Sequence, residues 1–501
     1  MNSGSQLKPW DSVAAKIRWN IQPFIDGKYR PSTSREHVDN VNPATETVLC
    51  QLPLGSAADI DAAVEAARRA FEDGRWSQLS ALKRADILIR LADLIVKHKA
   101  EIAILDTLEM GKPITASLYD AAHFGPELLK SWAGFADKLV GEAAPLIGGA
   151  MATSVYEPRG VVAAITPWNF PLVNAVFKLG PALAAGNTMV IKPSELSPSS
   201  ALKVAELALE AGLPEGVLNI VPGLGSSVGE VLALHKAVDM LSFTGSTGTG
   251  RKIMEMSGRS NGKSLLLELG GKSPQVVFSD IEDLDAVADA VVQSFLWNSG
   301  QVCTAHTRLD VHESIKDQLL DKVLTRTRPK RTGDPLDEKT TLGPLASSVQ
   351  RDRVRSYIER GIAEGAHAIL KGTIRDSGGC YVSPTVFDHV DPWMTIAREE
   401  IFGPVLCVQR FKTDEEAIAL ANGTDYGLAA TAWTRDLSRA KCLAHALKAG
   451  YVSIRTAGTE RPDSGFMLSH EAQKGSGFGA ESGIRGLQSY STLKCVNITG
   501  A

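Results

Sequence analysis

The run Val161-Val162-Ala163-Ala164-Ile165-Thr166, closed by Pro167-Trp168-Asn169, decides the fold. It is short, apolar and rich in β-branched residues, and a proline ends it, as expected of a fully buried strand. Similar runs stand at 188–192, 217–222, 240–244 and 264–269, with helix-like stretches at 199–211 and 226–234 between them. Strand, turn, helix, strand at this interval predicts a parallel α/β sheet with right-handed crossovers. Ligands of such sheets sit at the carboxyl ends of the strands, so the turns there are the ones to inspect.

Working outward, stretches 58–71 and 85–110 carry apolar residues at three- and four-residue spacing and predict two long helices, the second stopped by Gly111-Lys112-Pro113. Beyond Asp280, apolar runs near 381–387, 405–411, 429–434 and 450–455 predict a second α/β unit. The length of 501 residues allows two or three domains. Fifty-three basic against 57 acidic residues, a net charge of −4, leave no basic field for nucleic acid. Residues 160–177 are uncharged, but Pro167, Asn169, Pro171 and Asn174 interrupt them, so soluble interior is expected rather than a membrane span. Residues 1–13 have neither an apolar signal core nor an Arg-rich transit pattern, and the six cysteines form no C-x-x-C pair. A reduced, cytoplasmic protein without a metal site is expected.

Three turns offer phosphate or ribose chemistry. Gly223-Leu224-Gly225-Ser226-Ser227-Val228-Gly229 is one residue longer than the dinucleotide fingerprint, and Gly245-Ser246-Thr247-Gly248-Thr249-Gly250 does not fit it either. The physical need is looser: small residues that let main-chain amides at a helix start approach a phosphate, which Gly245-Ser246-Thr247 meets. An ordinary strand-to-helix turn fits that segment as well. In Lys192-Pro193-Ser194-Glu195, a cation and a carboxylate could grip ribose hydroxyls, the carboxylate disfavouring a 2′-phosphate; a solvated loop is the alternative.

Two residues carry reaction chemistry. Cys303 follows the small polar loop Asn298-Ser299-Gly300-Gln301-Val302 after a helix-like stretch at 286–297, which suggests an exposed sulfur at a helix N-terminus. A thiol with a pKa near 8.5 is only a few per cent thiolate at pH 7, so a nucleophilic role needs positive potential or a base nearby. Glu268 is the odd polar member of Leu265-Leu266-Leu267-Glu268-Leu269-Gly270-Gly271, where a carboxylate is costly unless paired or functional.

Taken in order, Ile165-Thr166-Pro167-Trp168-Asn169-Phe170-Pro171, Ile191 to Glu195, Phe243 to Ser246, Leu267 to Pro274, Gly300-Gln301-Val302-Cys303 and Glu399-Glu400-Ile401-Phe402-Gly403-Pro404 resemble the aldehyde dehydrogenase superfamily. The resemblance runs from about Phe24 to Leu493 and is nearest to bacterial enzymes acting on aminobutyraldehyde-type substrates. It implies an α/β protein with a Rossmann-like cofactor domain (1–141 and 159–270), an α/β catalytic domain (271–470) and a small β oligomerisation arm (142–158 and 487–501) of a homodimer or homotetramer. It implies NAD(P)-dependent oxidation of a small-molecule aldehyde to the acid, NAD being the expected cofactor and NADP the alternative. Cys303 would be the nucleophile, Glu268 the water-activating base, and the Asn169 amide with the Cys303 N–H the oxyanion donors. The cofactor would meet Ile165, Thr166, Pro167, Trp168, Lys192, Ser194, Glu195, Gly225, Gly229, Phe243, Thr244, Gly245, Ser246, Leu269, Gly270, Glu400 and Phe402.

Two departures from the family pattern concern the substrate tail. Leu468-Ser469-His470-Glu471-Ala472-Gln473-Lys474-Gly475-Ser476-Gly477 lacks the usual aromatic-Gly-Gly, and Arg455 replaces an Asn at a strand end. Phe170, Asn174, Phe177 and Trp297 are expected to line a tunnel for a polar short-chain aldehyde, an ω-amino aldehyde or a semialdehyde. Asp120 would receive a cationic tail or Arg455 a carboxylate, a surface salt bridge being the plain alternative for each. A non-catalytic binding member of the family is the competing reading; its expected mark, loss of Cys303, Glu268 or Asn169, is missing. A CoA-acylating relative fits less well, because that branch generally lacks the Glu.

Overall fold

The strand Val161–Ile165 lies near the middle of an eight-stranded sheet ordered Lys28–Tyr29, Phe24–Ile25, Leu218–Ile220, Thr188–Lys192, Val161–Ile165, Met240–Thr244, Ser264–Glu268, Gly477–Phe478. This structure is a computed structural model and describes residues 9–144, 150–456 and 468–499. The five central strands are parallel, as the cadence of apolar runs requires. All five residues of Val161–Ile165 are buried, alternate side chains entering two hydrophobic clusters on opposite faces. The chain first winds outward from this strand to Thr188–Lys192 and Leu218–Ile220, then returns past it to Met240–Thr244 and Ser264–Glu268. The order reverses between Val161–Ile165 and Met240–Thr244, where a doubly wound sheet opens its ligand crevice.

A second, seven-stranded sheet runs His367–Leu370, Thr385–Asp388, Val405–Phe411, Arg308–His312, Pro274–Val277, Ala429–Trp433, Tyr451–Arg455. His367–Leu370 alone in it is antiparallel to its neighbour. The run read at 381–387 becomes the shorter strand Thr385–Asp388. Met151–Pro158 and Ser491–Ile498 pair antiparallel over their whole length, leaving Met151, Val155, Leu493 and Ile498 exposed. Of the segments read as an arm, 145–149 and 500–501 lie outside the described residues, as do residues 1–8 of the leader reading. No helix among the described residues is long and apolar enough to cross a membrane.

The helix read at 58–71 is Ala57–Glu72, closed by a capping box between Ser56 and Asp59. The single helix read at 85–110 is instead two, Ala81–Lys97 and Lys99–Met110, broken at His98 with φ −99° and ψ 14°. The break has a packing cause. Ala85, Leu88, Leu91 and Ile95 enter the core against the first sheet, whereas Ala103, Ile104 and Leu108 join a separate cluster with Trp10 and Trp19. One straight amphipathic helix presents a single stripe and serves one core.

The second sheet is tied to its flanking loop and helix by main-chain satisfaction as well as by apolar packing. Arg308, 2 % exposed, donates to the carbonyls of Lys272, Leu420 and Ala421 at 2.8–3.0 Å. Arg308→Met keeps a stem in place but strips three carbonyls of their donor, at about 1–3 kcal/mol for each group left buried and unpaired. The thermal unfolding midpoint is expected to fall by several degrees; an unchanged midpoint would show that water replaces the guanidinium without cost.

Candidate active site

Cys303 follows a turn with three consecutive residues in the left-handed region: Asn298 (φ 48°), Ser299 (φ 55°) and Gly300 (φ 77°). Left-handed backbone costs a non-glycine residue on the order of 1–3 kcal/mol at a strained site and persists only where surroundings over-determine it. Here they do. Ser299 Oγ donates to the Gly343 carbonyl at 2.9 Å, Gln301 Nε2 to the Asn298 carbonyl at 3.1 Å, and Ala346 N–H to Gln301 Oε1 at 2.9 Å. A Cβ on Gly300 would stand 2.2 Å from the Gly403 carbonyl oxygen, so that position tolerates only glycine. The turn delivers Cys303 half-buried between the helix Leu284–Leu296 and the strand Arg308–His312. No helix starts at Cys303, which corrects the expectation of a helix N-terminus: three positive φ values redirect the chain into a strand. The main-chain N–H groups of Cys303 and Thr304 favour the ionised sulfur but are outweighed by burial.

Asn169 belongs to the turn after Val161–Ile165. Its Nδ2 donates to the Gln301 carbonyl at 2.9 Å, and Asn298 Nδ2 donates back to the Asn169 carbonyl at 2.8 Å. One amide N–H is thereby committed and the other is oriented by it. Gly271 completes the wall, since a Cβ there would lie 2.2 Å from the Cys303 carbonyl oxygen.

Glu268 ends the strand Ser264–Glu268, half-buried. Burial raises its pKa, the Glu481 carboxylate raises it further, and the Lys178 ammonium opposes both. Burial, then Glu400 and Glu268, push the Cys303 thiol up to about 12. Lys178 and Glu481 form a buried ion pair. Neither was singled out from the sequence, although Lys178 bears the same mark as Glu268: it is the lone charge of the apolar helix Pro171–Ala184. Glu481 carries no local signal, because only the fold brings it to Lys178.

The residues read as cofactor contacts gather at the sheet's carboxyl edge. Lys192, 3 % exposed, bonds Glu195 Oε2 through its Nζ at 3.3 Å and keeps donor capacity for a hydroxyl. Ser194 Oγ accepts from the Leu196 N–H at 3.2 Å. Thr166 N–H binds the Lys192 carbonyl at 3.1 Å, joining the turns after Ile165 and Lys192. Ser246 caps the helix Thr247–Arg259 by accepting from Thr249 N–H at 3.3 Å, while Gly245 must be glycine because a Cβ would meet the Phe243 ring at 2.5 Å. Gly225, which with Gly229 bounds a π-helical turn, and Gly248 face open space. Glu400 accepts from Gly271 N–H at 3.0 Å, a Cβ on Gly270 would come within 2.7 Å of its carboxylate, and burial raises its pKa to about 7. Trp168 and Phe402 (φ 61°) meet edge to face at 5.4 Å. These turns supply a buried cation, a carboxylate, a helix N-terminus and room above two glycines, a donor set that fits a dinucleotide. Among the described residues no cluster of three or more His, Cys, Asp or Glu is arranged to hold a metal.

On the substrate side the structure corrects one expectation and qualifies another. Asp120 is 1 % exposed and paired with the buried Lys112, whose Nζ also lies 3.7 Å from the Phe170 ring centroid. It is neither a surface ion pair nor a free carboxylate for a cationic tail: an acid buried this far from water requires its own cation. Arg455 stacks on Trp433 at 5.3 Å and acts electrostatically on His306, behind the Cys303 turn. His306 bonds Ser294 Oγ at 2.9 Å and Thr431 Oγ1 at 3.0 Å, and burial pushes its pKa down to about 3, so it is neutral. Phe170 and Trp297 meet edge to face at 5.2 Å, Trp297 being 42 % exposed. Asn174 Nδ2 donates to Asn169 Oδ1 at 3.4 Å, and Phe177 is half-buried on the same helix. Within the departing segment, Lys474 Nζ binds the carbonyls of Asn422 and Thr424, and Ser476 Oγ that of Gly270. His470 packs its ring 5.7 Å from that of Tyr451.

Comparison with known proteins gives the family. The aldehyde dehydrogenase family matches residues 29–496. The chain is 42% identical over 494 residues, 98% of each chain, to the NADP/NAD-dependent aldehyde dehydrogenase PuuC of Escherichia coli K12. It is 41% identical, over 97% of each chain, to the aminoacetaldehyde dehydrogenase of Pseudomonas aeruginosa. The solved structure of the P. syringae indole-3-acetaldehyde dehydrogenase AldA, in complex with NAD+ and IAA, superposes with a TM-score of 0.95 at 43% identity, covering 98% of this chain and 100% of the other. With its two sheets, its crevice and its Cys303–Asn169–Glu268 arrangement, the chain belongs to the aldehyde dehydrogenase family.

Proposed function

We propose that this chain oxidises a polar short-chain aldehyde to its carboxylic acid with NAD, through a covalent intermediate on Cys303. The observation that carries the reading is the bond of the Asn169 amide to Gln301, two residues before Cys303, in a crevice that Glu268 shares. As the aldehyde arrives, the Cys303 thiol gives up its proton to solvent, and Glu268 stays ionised for the later step. The sulfur bonds the carbonyl carbon, and the oxyanion takes hydrogen bonds from the free Asn169 N–H and the Cys303 N–H; each such donor supports about 3–4 kcal/mol of barrier lowering. NAD, held by the Lys192, Glu195, Ser246 and Glu400 turns, supplies the hydride acceptor when bound. Collapse of the oxyanion leaves a thioester on Cys303. Glu268 then takes a proton from water, whose oxygen attacks the thioester; the C–S bond breaks and the acid departs. Glu195 beside the ribose turn favours NAD over NADP, although the name of the E. coli relative includes both.

In this reading residues 1–141 and 159–270 form the cofactor domain and 271–470 the catalytic domain. The paired strands within 142–158 and 487–501 present apolar side chains for assembly as a homodimer or homotetramer. With Asp120 already neutralised by Lys112, tail selection falls to Asn174 and shape rather than to a free negative charge.

Cys303→Ala is expected to abolish NADH formation. Glu268→Gln is expected to retain one rapid equivalent of NADH per subunit while steady-state turnover falls by about 10²–10⁴-fold, the usual weight of a general base; a full steady-state rate would remove Glu268 from the hydrolytic step. Without cofactor, alkylation of Cys303 should rise about tenfold per pH unit between pH 7 and 9, because a thiol held near 12 stays protonated throughout that range; a plateau below pH 8 would contradict the raised value. Across neutral, cationic and anionic aldehydes of equal length, kcat/KM for the cation should exceed that for the neutral tail by less than about tenfold, since a larger gain would need more than 1.4 kcal/mol from Asp120. A greater preference would show that Lys112 yields Asp120 to the substrate.

A further inference from the structure

The strand His37–Asn42 buries a single residue, and that residue is polar. Asn40 is 1 % exposed, whereas its apolar neighbour Val41 is 37 % exposed. The strand pairs antiparallel with Thr47–Pro53, Asn40 standing opposite Cys50 and Val41 opposite Val48, so the ladder skips Leu49. A bulge of this kind twists the ladder locally and re-aims the side chains beside it. Here the Asn40 amide reaches the turn between the strand Thr188–Lys192 and the helix Ser199–Glu210. Its Nδ2 donates to the Leu196 carbonyl at 3.1 Å and to the Glu195 carbonyl at 3.3 Å. Carbonyls only accept, so these partners fix which end of the amide is the nitrogen. The Asn40 Oδ1 is left buried without a partner. An apolar side chain would avoid that cost, so the position answers to its donor.

Glu195 is thereby held at both ends. Its carbonyl takes the Asn40 amide, and its carboxylate takes the Lys192 ammonium at 3.3 Å. The turn is tied again further on, where Ser197 Oγ donates to the Trp168 carbonyl at 3.2 Å and the Ser199 N–H and Oγ donate to Glu109 at 3.1 and 2.6 Å. Those bonds lie past Leu196, so the Glu195–Leu196 peptide itself is left to Asn40. We infer that Asn40 is a positioning residue for cofactor choice: by holding the carbonyls of Glu195 and Leu196 it keeps the Glu195 carboxylate at the ribose, in opposition to a 2′-phosphate. The inference rests on the proposed cofactor site at Lys192 and Glu195. The Glu195 side chain is 34 % exposed and has solvent to move into, so its main chain decides how far it can retreat. Repulsion between a carboxylate and a phosphate falls with distance and with screening by water and salt. Once the Asn40 donor is gone the turn can back away. NAD then loses part of its ribose grip, while a 2′-phosphate loses part of the repulsion against it.

The test is the dissociation constant of NAD and of NADP for the full chain without aldehyde, measured by calorimetry, the weaker ligand by displacement of the stronger. Asn40→Leu keeps the side-chain volume and Asn40→Ala empties it; both remove the donor. Both variants are expected to weaken NAD by about three- to tenfold, the weight of one hydrogen bond, and to leave NADP no weaker. The preference for NAD over NADP then falls by at least the same factor. In a Glu195→Gln background the same substitutions should leave the preference unchanged, because no charge remains to be positioned. Equal weakening of both cofactors, or a shift in only one of the two variants, would mark Asn40 as a packing residue and overturn the inference, as would constants that do not move. A wild type that binds neither NAD nor NADP would instead refute the cofactor site on which the inference rests. The two failures are therefore distinguishable.

Discussion

The bond from the Asn169 amide to the Gln301 carbonyl is the constraint on which the site depends, because its two ends belong to different sheets. Asn169 hangs from the carboxyl end of Val161–Ile165, and Gln301 precedes Arg308–His312. Each turn taken alone has freedom to shift by more than the few tenths of an ångström that a reacting geometry tolerates. The return bond from Asn298 to the Asn169 carbonyl removes that freedom. On the proposed function, the arrangement fixes the oxyanion donor relative to the nucleophile before any substrate arrives, and a polar site gains most from donors that need not reorganise during reaction. The left-handed turn at Asn298 and Ser299 also presents the two groups that hold Asn169, the Asn298 amide and the Gln301 carbonyl.

A second consequence concerns charge. Glu268, Glu400 and Glu481 stand around the crevice, and the cation bound directly within the Glu268 cluster is Lys178. Burial alone raises Glu268, Glu400 and the thiol; these two carboxylates then hold the Cys303 proton more tightly still. The resting thiol is thus protected from adventitious alkylation and oxidation, which attack the thiolate. Any positive charge that enters the crevice weakens this hold, so activation of the nucleophile is tied to occupancy of the site.

The parallel sheet was legible because its strands are buried on both faces and therefore read as uninterrupted apolar runs, from Val161–Ile165 to Ser264–Glu268. Glu268 and Asn169 were visible as polar exceptions inside apolar segments, and Cys303 as a thiol in a small polar loop. Lys178 carried the same kind of exception and was passed over. Two features were not legible. The break at His98 lets the second helix reach a cluster with Trp10 and Trp19 while Ile102 stays in the core of the first sheet, a division that only the fold shows. Glu481 and Tyr490 reach Ser242 across more than 230 residues of chain, and no periodicity or spacing encodes such a contact.

The substrate side shows how a buried pair changes the meaning of a residue. Asp120 alone suggests a receptor for an ammonium tail, but Lys112 cancels its charge and stacks on Phe170, so the pair contributes shape to the tunnel. Asn174 is different. Its Nδ2 is directed at Asn169 Oδ1 at 3.4 Å, which leaves its own Oδ1 as the acceptor offered to a ligand. A tail that donates a hydrogen bond to Asn174 polarises the same amide chain that runs through Asn169 to Gln301, and bonds in series strengthen one another. On the proposed function, tail recognition and oxyanion stabilisation are then linked through two side-chain amides. For that reason a polar tail in this tunnel bears on the rate of the chemical step as well as on binding.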